Sequence, residues 1–197
     1  MNNKTKHLQS LKQRINSYSK ISEESWNKIE NICTVKELSK GETLLYLGEV
    51  ADEHYFIAKG LLRAYFSDIE GNIYNKNLFL ENSFAGSTVS LLKNSPSEFC
   101  LEALEDTMLI VMPYKEYRAL INEYSDLKDF YIAYLEQNWV IEKECIQVAL
   151  VLEDATQRYL TYLEKYPNIE KRVAQHHIAS HLGITPTQLS RIRKNLK

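Results

Sequence analysis

The feature that most restricts this 197-residue chain is its tail, Gln175-His-His-Ile-Ala-Ser-His-Leu-Gly-Ile-Thr-Pro-Thr-Gln-Leu-Ser-Arg-Ile-Arg-Lys-Asn-Leu196. Ile178, Ala179 and Leu182 give a short helix one apolar face, and Gly183 supplies a residue that takes positive φ just past its end. A second helix start follows at once. Thr185 is the N-cap, Pro186 stands at N1 where its missing donor costs nothing, and Gln188 completes a Thr-x-x-Gln capping box. Leu189, Ile192 and Leu196 recur at helical spacing and can pack on the first helix. Two helices separated by one tight turn are the geometry of a helix-turn-helix.

The outward face of the second helix then carries Thr187, Gln188, Ser190, Arg191, Arg193 and Lys194, types that reach phosphates and base edges. An ordinary αα-hairpin with a solvated basic face would look similar. Charge distribution separates the two readings. Lys171, Arg172, Arg191, Arg193, Lys194 and Lys197 follow Glu170 and no Asp or Glu does, so a chain of net charge -2 is +6 in its tail and -8 before it. Such sign asymmetry fits a nucleic-acid contact surface.

The rest of the chain is apolar enough, at 44% hydrophobic residues, to bury a substantial core. No apolar run approaches the roughly 20 residues needed to span a bilayer, and Met1 to His7 lead into an amphipathic pattern rather than a signal peptide. The expectation is a cytoplasmic protein with no membrane partner. Cys33, Cys100 and Cys145 are odd in number and lack CxxC spacing, so reduced and mostly buried thiols are expected rather than disulfides or a zinc ribbon.

Two helices are predicted between about Lys4 and Asn31. Leu8, Leu11 and Ile15 mark the first; Ser22 starts the second, whose apolar side is Trp26, Ile29 and Ile32. From Thr34 to Pro113 the texture becomes short β-branched and aromatic runs between turn signals. Strands are predicted over Thr43 to Leu47, Glu53 to Lys59, Leu61 to Ser67, Ile73 to Leu80, Phe99 to Glu105 and Thr107 to Met112. Asp68 to Asn72 form a hairpin turn, and Ala85 to Lys93 hold a short helix. Spacings near ten residues indicate a sandwich or jelly roll.

Helices resume at Tyr114, with Tyr117, Leu120, Ile121 and Tyr124 on one face. After Ser125 a long helical pattern runs on, with a break and restart at Glu153-Asp154 and Thr156. Within it Leu127, Tyr131, Tyr134, Asn138, Ile141, Cys145, Val148 and Leu152 alternate in steps of four and three, the seam of a two-helix coiled coil. Asn138 is its one strongly polar member and would pair with its symmetry mate in a homodimer. Alternatively, this helix packs on its own domain through Phe130, Ala133, Val140 and Ala149.

Two helices, a jelly roll, a long helix and a terminal helix-turn-helix, in that order, resemble the Crp-Fnr family of bacterial transcription regulators. The likeness is carried by Glu53-His-Tyr-Phe-Ile-Ala-Lys-Gly-Leu-Leu-Arg63, similar to the family's strand-Gly-strand segment, and by Ile178-Ala-x-x-Leu-Gly-Ile-x-x-x-x-Leu-Ser-Arg191, similar to its DNA-reading motif. The resemblance implies an α+β fold: an effector-sensing, cyclic-nucleotide-binding-like jelly roll with flanking helices over 1–125, a dimerisation helix over 126–153 and a DNA-binding helix-turn-helix over 154–197. It also implies partners: double-stranded DNA, a second copy of the chain, a small-molecule effector and RNA polymerase. Thr185, Thr187, Gln188 and Arg191 would face base edges, Arg191 matching the family's base-reading arginine, while Arg193 and Lys194, with Lys171 and Arg172, would meet the DNA backbone.

The resemblance breaks at the effector pocket. Members that bind cyclic AMP carry Gly-Glu, then Arg-Ser or Arg-Thr eleven residues after that Gly. Matching on Gly86 puts Ser87 at the Glu position, Ser97 at the Arg position and Glu98 just after. A phosphate would lose its charge-assisted partner and meet a carboxylate, a loss on the order of 2 to 5 kcal/mol. Gly86, Ser87, Ser97 and Glu98 therefore outline either a pocket for a different, cationic or neutral effector or a filled core. Three cysteines cannot supply the four iron-sulfur ligands of another branch, nothing marks a haem, and no cofactor or metal is expected. His177 and His181, one helical turn apart, are read as facing solvent or phosphate rather than a metal. The family's β-hairpin wing has no counterpart before Lys197, and Pro167 to Gln175 leave little room for the hairpin that normally precedes the motif.

No Gly-rich phosphate loop, metal triad, nucleophile elbow or marked acid-base pair nominates an enzyme. Glu102, Glu105 and Asp106 read as a solvated strand edge. A ligand-binding or protein-interaction module without specific DNA binding stands as the alternative to a DNA-binding regulator.

Overall fold

The computed structural model describes residues 3–196, and its centre is a pair of four-stranded antiparallel sheets. Helices α1 (Asn3–Tyr18) and α2 (Glu23–Ile32) precede strands β1 (Thr34–Leu38), β2 (Thr43–Leu45), β3 (Glu53–Lys59), β4 (Leu62–Ser67), β5 (Ile73–Phe79) and β6 (Phe84–Ala85). After α3 (Thr88–Lys93) come β7 (Cys100–Ala103) and β8 (Thr107–Pro113). The strand orders are β1-β8-β3-β6 and β2-β7-β4-β5.

Strand β3 is buried on both faces through its middle four residues. Tyr55 and Ile57 point between the sheets, where they meet Leu62, Ala64, Leu101, Leu109 and Val111. Phe56 points the other way, joining Phe84, Ile110 and Met112 beneath Leu11, Ile15, Trp26 and Ile29 of the first two helices. Alternate residues thus enter two different cores, so the strand is apolar on both faces. Ser22 caps α2 by accepting the Ser25 N–H. All six predicted strands are present within a few residues of their predicted ends. Two were not predicted: β1 is an edge strand with three of its five residues exposed, and β6 has two residues.

The carboxyl half is helical: α4 (Tyr114–Glu123), α5 (Ser125–Leu135), a π-helical segment (Glu136–Ile141), α6 (Glu142–Leu152), α7 (Ala155–Lys165), α8 (Ile169–Arg172), α9 (Gln175–His181) and α10 (Pro186–Asn195). From α5 through the π segment to α6 the backbone stays helical. The restart after Glu153 is where expected, with Asp154 accepting the N–H groups of Thr156 and Gln157. Between Pro167 and Gln175 the chain forms α8 rather than a hairpin.

The seam of the long helix divides at the π segment. Leu127 is fully buried, and Tyr131 and Tyr134 pack beside it on the first-helix core. Asn138 is tied within its own chain: its Nδ2 donates to Tyr134 O (2.8 Å) and Tyr18 Oη (3.1 Å). Within the single chain, Tyr18 of α1 thus supplies a polar partner for the residue read as pairing with a symmetry mate. From the end of the π segment onward the pattern changes. Ile141, Cys145, Val148 and Leu152 are exposed, as are Ile146, Leu150 and Val151.

A third core joins the carboxyl helices to the sheets. Leu61 and Leu78 pack with Tyr159, Tyr162, Ile169, Val173, Ile178, Ala179, Leu182, Leu189 and Ile192.

Candidate nucleic-acid interface and effector pocket

The tail folds as its local signals dictate. Gly183 has φ +69°, Thr185 Oγ1 accepts the Gln188 N–H at 3.1 Å, and Pro186 opens α10. Leu189 and Ile192 are buried against α9, and Gln175 Nε2 donates to the Pro186 carbonyl at 3.0 Å. That packing leaves Thr185, Thr187, Gln188, Ser190, Arg191 and Lys194 exposed. Between α9 and α10 lies an open groove of about 520 Å³ lined by Gln175, His176, Pro186, Thr187, Ser190 and Arg191. His176 and Gln175 join this face although the helical periodicity of α10 could not have included them. The one available signal was their place at the start of α9.

Two cations expected on the outer face are engaged elsewhere. Arg193 Nε pairs with Glu170 at 2.8 Å while its guanidinium reaches Gln175 Oε1 at 3.3 Å. Arg172 forks onto Glu81 (2.7 Å) and Glu105 (2.5 Å) and donates to the Gly60 carbonyl (3.3 Å). Both arginines thereby spend donors on partly exposed carboxylates of their own chain, whereas the resemblance implies that they meet the DNA backbone. Burial alone would raise the Glu81 carboxyl, but the bonds it accepts from Arg172 and from backbone N–H groups hold it below its ordinary value.

The histidines also face inward, against expectation. His177 Nδ1 lies 3.3 Å from Arg63 and 3.2 Å from Asn75 Nδ2, two donors that require an unprotonated nitrogen there. Burial, then the His176 and Arg63 charges, lower it to about 4. His181 is stacked on Tyr162 with ring centroids 5.2 Å apart and is lowered by burial to about 4. Both rings are partly buried and engaged with protein groups, and no group of three metal-ligating side chains occurs among the described residues. Glu102 and Glu105 are likewise not a solvated edge: Glu102 pairs with the buried Arg63 at 2.8 Å, Glu105 with Arg172. Asp106 accepts the Lys40 N–H at 3.0 Å. Of the cysteines only Cys33 is buried; Cys100 is intermediate and Cys145 exposed.

At the expected effector pocket, Ser87 and Ser97 are brought together and closed off. Both are 2% exposed; their hydroxyls hydrogen-bond each other at 2.9 Å, and Ser97 Oγ reaches the Phe99 carbonyl at 2.8 Å. Gly86 lies beside them, half-buried against His54. Glu98 is exposed. On the outer side of the same sheet His54, lowered by burial to about 4, lies between the Phe84 and Tyr117 rings. The cleft it lines with Leu91, Tyr134 and Trp139 encloses about 10 Å³, room for about one water.

Residues 35–124 match the family model of the cyclic nucleotide-binding domain. In solved structures the same architecture extends over most of the chain. The catabolite activator protein of Thermus thermophilus is 20% identical, with 93% of this chain and 86% of that one covered and a TM-score of 0.57. FixK2 from Bradyrhizobium japonicum is 18% identical over 84% of each chain, TM-score 0.66. CLP of Xanthomonas campestris, described as a c-di-GMP responsive global regulator, is 14% identical over 89% and 91%, TM-score 0.66. The fold is thus similar to that of Crp-Fnr-type regulators. No curated protein matches the chain in sequence. Among the described residues no helix is long and apolar enough to cross a membrane.

Proposed function

We propose that this chain is a homodimeric, sequence-specific DNA-binding transcription regulator of the Crp-Fnr type that is not controlled by cyclic AMP. The observation that carries the reading is the outward face of α10, where Thr185, Thr187, Gln188, Ser190, Arg191 and Lys194 stand exposed on a capped helix anchored to α9. In this reading residues 154–197 form the DNA-binding unit, 126–153 the dimerisation helix and 1–125 the sensing domain.

Gln188 suits adenine and Arg191 guanine, each through two parallel hydrogen bonds. Lys194 supplies a phosphate contact. The exposed Ile141, Val148 and Leu152 of the long helix are the surface a second copy would cover. A two-fold dimer then prefers a palindrome with half-sites about 34 Å apart. Against cyclic AMP stands the serine pair: neither side chain can offer the phosphate a charge-assisted bond, and both hydroxyls are already engaged.

The test is selection of bound duplexes from a random library at two salt concentrations, with and without cyclic AMP. Recovery of a palindrome without the nucleotide, weakening steeply with salt, is expected. Recovery only with cyclic AMP would overturn the pocket reading. No enriched site under any condition would favour a protein-interaction module.

A further inference from the structure

In this structure the carboxyl-terminal unit is tied to the sensing sheets at two places and to the long helix at a third. First, α9 covers the edge strand β5. The Asn75 N–H, which has no strand beyond it, donates to Ser180 Oγ at 2.7 Å, and Asn75 Nδ2 donates to the His177 carbonyl at 3.1 Å. Arg63 and Asn75, 7% and 6% exposed, lie under α9 and both reach the His177 ring, while Glu102 holds the Arg63 guanidinium at 2.8 Å. Second, Arg172 clamps Glu81 and Glu105, and Glu81 in turn accepts the Gly60 N–H at 2.9 Å. Third, Lys165 of α7 pairs with Glu142 of α6, so the helix leading to the tail is tied back to the long helix. Between these ties lies the apolar core shared by Leu61 and Leu78 with Ile178 and Ala179, all at most 4% exposed.

A hinge would need the opposite composition: few buried contacts, and polar groups that water can satisfy when the units part. Separation here would strand Asn75 and His177 without their mutual partners and wet Leu61, Leu78, Ile178 and Ala179. The Arg63–Glu102 pair beneath α9 is itself largely buried, so breaking that contact would leave an uncompensated charge. On the sensing side the corresponding site is already closed by the Ser87–Ser97 pair.

Resting on the regulator reading above, we infer that the tail and the sensing sheets move as one rigid body, so that α10 is presented to DNA in a fixed pose without an effector-driven swing. Because the binding-competent pose is then the dominant one, no fraction of affinity is lost to selecting it from others. The contacts at Arg172 and Arg63 support DNA binding rather than restrain it.

The Asn75 amide reports this directly, since its hydrogen-bond acceptor belongs to α9. Amide exchange is measured by NMR on the full chain, free and bound to a duplex from the selection, with Ala64 of β4 as internal reference. Ser180→Ala identifies the signal by speeding exchange at Asn75 while leaving Ala64 unchanged. In the free protein Asn75 is expected to be protected to within about tenfold of Ala64, and DNA binding to change it by less than about threefold. Loss of Asn75 protection by tenfold or more on DNA binding would overturn the inference, as would rapid Asn75 exchange in the free protein. A second measurement uses Glu81→Gln combined with Glu105→Gln, which releases Arg172. Affinity for the selected site is expected to fall several-fold, whereas a tenfold gain would identify the clamp as inhibitory and overturn the fixed pose. If no duplex is selected at all, the regulator reading fails, and Asn75 exchange in the free protein still decides whether the units are docked.

Discussion

Arg193 and Glu170 form an ion pair of 2.8 Å that ties α10 to the start of α8, while the next residue along, Lys194, is exposed. Two neighbouring cations on one short helix therefore have different duties. Lys194→Ala is expected to weaken binding to every sequence alike and to lower the slope of log affinity against log salt by about one. Arg193→Ala is expected to cost about 1 kcal/mol or less of stability, since the pair is partly exposed. Its salt slope should stay unchanged. Binding titrations at four salt concentrations separate the two variants; a unit drop in slope for Arg193→Ala would show that the pair opens on DNA.

Arg191 has no such internal partner among the described residues and borders the groove between α9 and α10. Arg191→Ala is expected to flatten base preference at one position of each half-site, by about 1 to 3 kcal/mol of discrimination. Competition between the selected site and single-base variants measures it. An unchanged preference would mean that α10 docks by another face.

Gly60, in the turn between β3 and β4, lies under the Arg172 clamp. Its φ is +97°, and a Cβ there would fall 2.4 Å from Thr107 Oγ1 and 2.7 Å from Thr107 Cα. Backbone cannot yield as a flexible side chain can. Gly60→Ala is therefore expected to destabilise by about 3 kcal/mol or more, combining conformational strain with overlap. The midpoint of urea unfolding reads this out, and a change below about 1 kcal/mol would mean that the turn rearranges.

The two halves of the long-helix seam should respond oppositely to charge. Val148→Asp and Leu152→Asp place carboxylates on exposed positions, 49% and 78% accessible, and are expected to yield folded monomers. Leu127→Asp buries a charge at a fully enclosed site and is expected to prevent folding. Asn138→Ala removes the bonds to Tyr18 and Tyr134 and is expected to cost about 1 kcal/mol without altering the oligomeric state. Light scattering and thermal unfolding of the four variants decide. Should Asn138→Ala shift the oligomeric state, the residue reaches a second copy after all.

What the sequence disclosed was whatever is decided locally. The Thr185 cap, Gly183 turn and Asp154 restart depend on residues within four positions of one another, and each is present as read. Strand β1 escaped because an edge strand carrying Lys36 and Glu37 lacks an apolar face to advertise it. The heptad spacing from Leu127 to Leu152 showed which residues share a stripe. It could not show which surface covers them, and the π segment between Glu136 and Ile141 hands one half to the chain's own core. The largest departures were non-local. His177 meets Asn75 across 102 positions, and Arg172 meets Glu81 across 91. Charge patterning within the tail gave no sign that distant carboxylates would neutralise part of it.

His181 offers the sharpest test of the carboxyl core. It is lowered from 6.5 to about 4 by burial, with the Lys165 charge adding to the effect, and its Nδ1 has no hydrogen-bond partner. Between these two values the unfolded chain holds a proton on this ring that the folded chain does not. Stability therefore rises with pH through this window and is complete above about 6.5. Falling from pH 7 to 4.5, this histidine can remove up to about 3 kcal/mol, at 1.36 kcal/mol per pH unit. His54, fully buried and also lowered to about 4, acts in the same direction. His181→Phe keeps an aromatic ring against Tyr162 and deletes both the titration and the unpaired nitrogen. The variant should unfold at a higher urea concentration than the parent at pH 5, by an amount that shrinks toward pH 7.5. A difference independent of pH would place the ring where it can be protonated without leaving the fold.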